Sequence, residues 1–139
     1  MHMGSHRFAA QSCGQPGEVG HMLHRAAVFA LRKACIPVQD EEPKSWSELW
    51  RRGAPRPDIV VTLDERTIAA QPIWPGQPIS ALWSFEDAAA IADPDAADEA
   101  AVQILFGLQR RIELLINLPM HQGDPVALRS DLRELGRLS

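Results

Sequence analysis

Residues 58–85 read DIVVTLDERTIAAQPIWPGQPISALWSF, and this stretch decides the fold class. Asp58 to Leu63 is an unbroken β-branched and apolar run, the pattern of a parallel strand covered on both faces, so a central strand is expected there. Asp64 to Ala70 suits one helical turn, with Asp64 as N-cap and Glu65 as a first-turn acid. The stretch QPIWPGQP is a proline-rich loop, and Ile79 to Phe85 alternates as a last strand.

Upstream, Arg7 to Ser12 (RFAAQS) reads as a short strand and Cys13 to Gly20 as a glycine-rich loop. From His21 to Ala34, the residues Leu23, Ala26, Ala27, Ala30, Leu31 and Ala34 recur at the helical period of one buried face, and Ile36-Pro37 ends that helix. Ser45 and Glu48 have the spacing of a capping box before the short apolar helix of Trp46, Leu49 and Trp50. Downstream, Ala101, Ile104, Leu105, Leu108, Ile112, Leu115 and Ile116 draw the longest stripe, a helix from Pro94 to Leu118 opened by Asp93-Pro94 or Asp95. Asp124-Pro125 opens a final helix that Gly136 ends. Strands alternating with helices predict an α/β domain with a parallel sheet.

The 139 residues, 45% of them hydrophobic, suit one domain with one core. A net charge of −4 with dispersed basic residues argues against nucleic acid and anionic lipid as partners. No apolar run approaches the roughly 20 residues that span a bilayer, and MHMGSHRF has no apolar signal core, so no membrane association and a cytoplasmic location are expected. Cys13 and Cys35 are too few for a secreted disulfide framework and form no CxxC pair. His2 with His6, and His21 with His24, have helical spacing, but no carboxylate or cysteine completes a ligand set, so neither a metal nor a cofactor is expected.

Taken together, RFAAQSCG, KSWSEL, DIVVTL, QPIWPGQPISALWSFEDAAAI and the tail RIELLINLPMHQGDPVALRSDLRELGR resemble the low-molecular-weight phosphotyrosine phosphatase family, in its thioredoxin-coupled arsenate-reductase branch. The resemblance runs from Arg7 to the end of the chain. It implies a three-layer, parallel-sheet, phosphotyrosine-phosphatase-I-like fold without its first, central strand and first helix. It also implies a single domain over 1–139, with a core at 7–118 and a C-terminal helical extension at 119–139. In that family RFAAQS matches the second strand, DIVVTL the third and ISALWSF the fourth, in the order 2-1-3-4.

The family's chemistry needs a thiolate in a Cys-x5-Arg loop at a helix N-terminus, where amides and the dipole hold an oxyanion. Cys13 is followed at that interval by Val19 and Cys35 by Glu41, so neither is the nucleophile and both are expected as structural or loop thiols. The two further redox cysteines of the arsenate reductases fall on Asp64 and Gln71, so the disulfide relay is absent. Asp64 and Glu65 also place carboxylates beside a site that should attract an anion, which argues against arsenate as a ligand. Asp87 falls on the family's general-acid aspartate, with Glu86 before it and Ala88 where the family has proline. Its alternative is a solvated acidic loop with Asp93, Asp95, Asp98 and Glu99.

Three functions follow from this reading. The chain is a degenerate or N-terminally incomplete arsenate reductase or tyrosine phosphatase without catalysis; or a non-catalytic assembly module completed by a second copy or partner chain that supplies a strand; or a tyrosine phosphatase whose loop lies upstream of Met1. An absent central strand leaves backbone groups unpaired at roughly 1–3 kcal/mol each when buried, so RFAAQS is expected to shift onto DIVVTL, or another chain to fill the gap.

Overall fold

The structure, a computed structural model, describes residues 8–20, 22–38, 42–51, 53–54, 56–118 and 124–138. Along these run helix α1 (Arg25–Lys33), a 3-10 helix (Trp46–Trp50), strand β1 (Ile59–Thr62) and a second 3-10 helix (Glu65–Ala70). Strand β2 (Ile79–Leu82), a third 3-10 helix (Ala88–Ala90), α2 (Pro94–Ile116) and α3 (Pro125–Gly136) follow. β1 and β2 pair in parallel, with Ile59 opposite Ile79 and Thr62 opposite Leu82. Among the described residues the chain is therefore mixed α/β around a two-stranded parallel sheet.

The period of two along each strand sends Ile59, Val61, Ile79, Ala81 and Trp83 to one face, where they meet Leu132 and Leu135 of α3 and Leu108, Ile112 and Leu115 of α2. Trp83 is 2% exposed. Covering that much ring gains ~4–6 kcal/mol of transfer free energy before any entropy is subtracted. Its indole nitrogen donates to the Leu132 carbonyl at 3.0 Å, so the polar end of the ring is satisfied inside the core. α3 ends against this strand: a Cβ on Gly136 would collide with the Leu82 carbonyl oxygen and stand 3.0 Å from Trp83 Cδ1.

Arg111 of α2 is buried and has no carboxylate partner among the described residues. Its Nε donates to the Leu135 carbonyl and its Nη1 to the Gly107 carbonyl, both at 3.0 Å, while Nη2 donates to the Leu138 carbonyl. The guanidinium also lies 4.6 Å from the centre of the Phe85 ring. It thus adds donors and positive charge at the carboxyl end of α3, where the Leu135 carbonyl otherwise accepts only from the amides just beyond the helix.

α1 and α2 meet along an alanine seam of Ala26, Ala30, Ala97 and Ala101, whose small side chains let the helices approach closely. Arg25 and Asp98 bridge the seam's edge at 2.9 Å. His24 caps α1 by accepting the Ala26 amide at Nδ1, 3.2 Å away. At the other end the Ile36 amide donates to the Leu31 carbonyl at 2.8 Å and the Cys35 amide to the Arg32 carbonyl at 3.0 Å. This closure places Cys35 at φ 58°, the left-handed conformation that glycine usually occupies after a helix.

Asp93 and Asp124 cap α2 and α3 as their Asp-Pro pairs predict, accepting from the Ala96 and Ala127 amides at 3.2 and 3.0 Å. Three expectations need correction. Residues 8–12 of RFAAQS form no strand and do not pair with β1, because Ala9, Ala10, Gln11 and Ser12 are all exposed and offer no apolar face to bury. What pairing exists comes later, where Gly14 makes one parallel bridge: its amide donates to the Lys44 carbonyl, and its carbonyl accepts from the Trp46 amide, both at 2.9 Å. β1 is not central among the described residues, since it has β2 on one side only and its four residues are half-buried. Ser45 does cap Trp46–Trp50, but its hydroxyl accepts the Ser47 amide, and Glu48 gives its amide to the Ser45 carbonyl, so the reciprocal capping box is not formed. The α1 helix begins at Arg25, and His21, His2, His6 and Arg7 lie outside the described residues.

Candidate functional site at the carboxyl ends of the strands

The two strands leave the sheet side by side, because the Trp83 amide donates to the Thr62 carbonyl at 2.8 Å and the Phe85 amide to the Leu63 carbonyl at 3.0 Å. β1 runs straight into Asp64, and β2 reaches Asp87 after a short extended segment. Both aspartates are N-caps: Asp64 accepts the Arg66 amide at 2.9 Å and Asp87 the Ala89 amide at 3.0 Å. Short helical turns that each begin with an aspartate therefore fix both carboxylates at the strand ends, where parallel sheets place their ligands.

Arg66 joins them. Its Nε donates to both Asp64 oxygens at 3.0 Å, and its Nη2 lies 2.6 Å from Asp64 Oδ2 and 3.5 Å from Asp87 Oδ2. Hydrogen bonds from the Arg66 side chain, then from its amide, hold the Asp64 carboxyl below the usual carboxylate range. The group brings together two carboxylates and one guanidinium, and Arg66 gives its Nε and Nη2 to the carboxylates while its side chain stays largely exposed. Asp87 accepts at Oδ1 from an amide and faces Arg66 with Oδ2, so both of its oxygens are engaged.

Gln71 takes a structural place. Its amide nitrogen donates to the Thr62 hydroxyl at 2.6 Å, and its carbonyl oxygen accepts the Trp74 indole N–H at 3.3 Å. Trp74 in turn packs against Trp46 and Trp50, with ring centres 6.4 and 6.3 Å away. The side chain thus ties the end of β1 to an aromatic cluster built from the proline-rich loop and Trp46–Trp50.

Neither thiol is placed for nucleophilic work. Cys13 lies exposed in the loop before Gly14, and the protein around it pushes its thiol up, with Lys44 offsetting only part of that. Cys35 is exposed at the carboxyl end of α1, the end opposite to the one that holds anions. Among the described residues no group of three His, Cys, Asp or Glu side chains is arranged for a metal, and His24 is occupied as a cap. No helix among them is long and apolar enough to cross a membrane. Sequence reasoning missed Arg66, although an arginine two residues after a strand-end aspartate is within reach of its carboxylate once a turn forms. It also missed Arg111, whose position between Leu108 and Ile112 puts a charge inside an apolar stripe.

No family model matches the chain, and no curated protein matches it.

Proposed function

We propose that this chain is a degenerate or N-terminally incomplete relative of the low-molecular-weight phosphotyrosine phosphatases, from the arsenate-reductase branch, with Asp64 and Gln71 at the two relay-cysteine positions. The reading is supported by the parallel pairing of Ile59–Thr62 with Ile79–Leu82, in segments that resemble that family's third and fourth strands. The observation that carries it is Arg66, which Asp64 and Asp87 neutralise at the strand ends. A phosphatase or arsenate-reductase site holds a tetrahedral anion with cationic and amide donors. Here the strand ends carry excess carboxylate, and the two relay positions are an N-cap and a clamp on Trp74.

A second reading has its own observation. β1 has no strand on its outer edge among the described residues, and an open edge is a template for an added strand. On this reading the domain is an assembly module in the cytoplasm whose partner, or second copy, pairs with Ile59–Thr62.

Steady-state assays of arsenate reduction with thioredoxin and of aryl phosphate hydrolysis test the first reading. Rates at background are expected, since general-acid help alone contributes only about 10²–10⁴-fold and has no nucleophile to assist. Turnover that Cys13→Ser or Cys35→Ser abolishes would overturn it.

A further inference from the structure

The outer face of α1 has no partner among the described residues. Ala26 and Ala30 face α2 and Arg25 reaches back to Asp98, whereas Val28 and Phe29, four and three residues before Arg32, share another side of the helix with it. With Met22 and Lys33 they line a groove of about 820 Å³. Met22 is 80% exposed and Phe29 41%, so the groove is apolar at its centre and basic at its margins. A second groove adjoins it across Phe29 and Lys33, and its other wall carries Asp95, Asp98 and Glu99 of α2.

Arg25 and Asp98 are already joined to each other. Among the described residues, Arg32 and Lys33 on one groove and Asp95 and Glu99 on the other have no ion-pair partner. Two such cations and two such anions therefore flank one apolar centre on a single surface. A surface of this kind is complementary to itself. A two-fold axis through the Phe29 region would lay the basic groove of one copy over the acidic groove of the other, and each pairing would occur twice.

We propose that the α1–α2 face is a homodimer interface, with Phe29 and Met22 at its centre and Arg32 and Lys33 of each copy facing Asp95 and Glu99 of the other. Four exposed pairs and a small apolar patch make a weak dimer whose association falls with salt. Self-association answers the charge pattern better than an acidic peptide or an anionic surface, because either of those would meet Asp95 and Glu99 beside the basic residues.

Sedimentation velocity over a concentration series tests this. The wild-type chain is expected to show a monomer–dimer equilibrium that shifts toward monomer as salt rises. Arg32→Glu and Glu99→Arg, each alone, set like charges opposite one another and weaken the dimer by roughly tenfold or more. Mixing the two variants restores dimers, because the altered position 32 of one copy then meets the altered position 99 of the other with opposite charge. The native Arg32 and Glu99 that remain, one on each copy, still face each other across the axis. Variants that merely misfold would not be rescued by mixing. A monomer throughout the series overturns the proposal, as does a dimer indifferent to both substitutions, which would use another face such as the β1 edge.

Discussion

Asp64 and Arg66 hold each other at the end of β1 in a two-pronged pair, with Nη2 2.6 Å from Oδ2 and the Arg66 amide 2.9 Å from Oδ1. Both bonds favour the ionised carboxyl, so its folded-state pKa lies below its unfolded one. The stabilisation is therefore fully present above the unfolded aspartate pKa and is lost as pH falls through the folded one. Carbon-detected NMR titration of Asp64 is expected to give a midpoint below that of free aspartate. In Arg66→Ala the midpoint should move upward, and an unchanged midpoint would show that the arginine is not the cause.

Gly136 is required by the approach of α3 to β2, and alanine there would drive a methyl group into the Leu82 carbonyl. Helix propensity favours alanine by up to about 1 kcal/mol, while overpacking costs about 1–3 kcal/mol and more against rigid backbone. Gly136→Ala is expected to lose about 2 kcal/mol in denaturant unfolding at unchanged m-value. A stabilised variant would contradict the close packing.

Arg111 links α2 to the end of α3 through carbonyls and the Phe85 ring rather than through a carboxylate. Arg111→Met keeps the aliphatic bulk and removes the side-chain donors, so the Leu138 carbonyl loses its partner at about 1–3 kcal/mol, while the Leu135 carbonyl keeps backbone amide donors and loses only its bond to Nε. A loss of about 2–4 kcal/mol is expected, with amide exchange rising first at Leu135 and Leu138. Arg111→Lys should recover little, because one ammonium cannot reproduce the planar fork.

Cys35 sits at φ 58° with an exposed side chain, so its conformation rather than its thiol sets its energetic role. Cys35→Gly relieves a left-handed backbone cost of about 1–2 kcal/mol and adds a glycine entropy cost of about 0.5–1 kcal/mol. A net gain of about 0.5 kcal/mol by thermal unfolding is expected, and a clear loss would mean that the thiol makes contacts worth more than the strain.

The helices were the most legible elements, because Asp93-Pro94 and Asp124-Pro125 announce their own starts through local chemistry. The end of β1 was legible too, and with it the place of Asp64, but β2 closes at Leu82 rather than at Phe85, so Asp87 stands farther from its strand than the alternation suggests. What joins those two was not, since Arg66 reaches Asp87 only after two separate turns bring residues far apart in the chain together. Arg111 was hidden for the same reason, its partners lying 24 and 27 residues away. RFAAQS misled because short apolar and polar residues alternate weakly there, and pairing depends on a neighbour that the local pattern cannot specify.

Asp64 and Asp87 both pair with Arg66, and the proposed function expects the strand ends to hold no oxyanion. Titration of the intact chain with phosphate and then arsenate, followed by NMR of the Arg66 side chain and the Asp64 and Asp87 carboxyls, reads that consequence at the atoms concerned. No saturable shift into the millimolar range is expected. Saturable micromolar binding that moves all three residues and disappears in Arg66→Ala would contradict it.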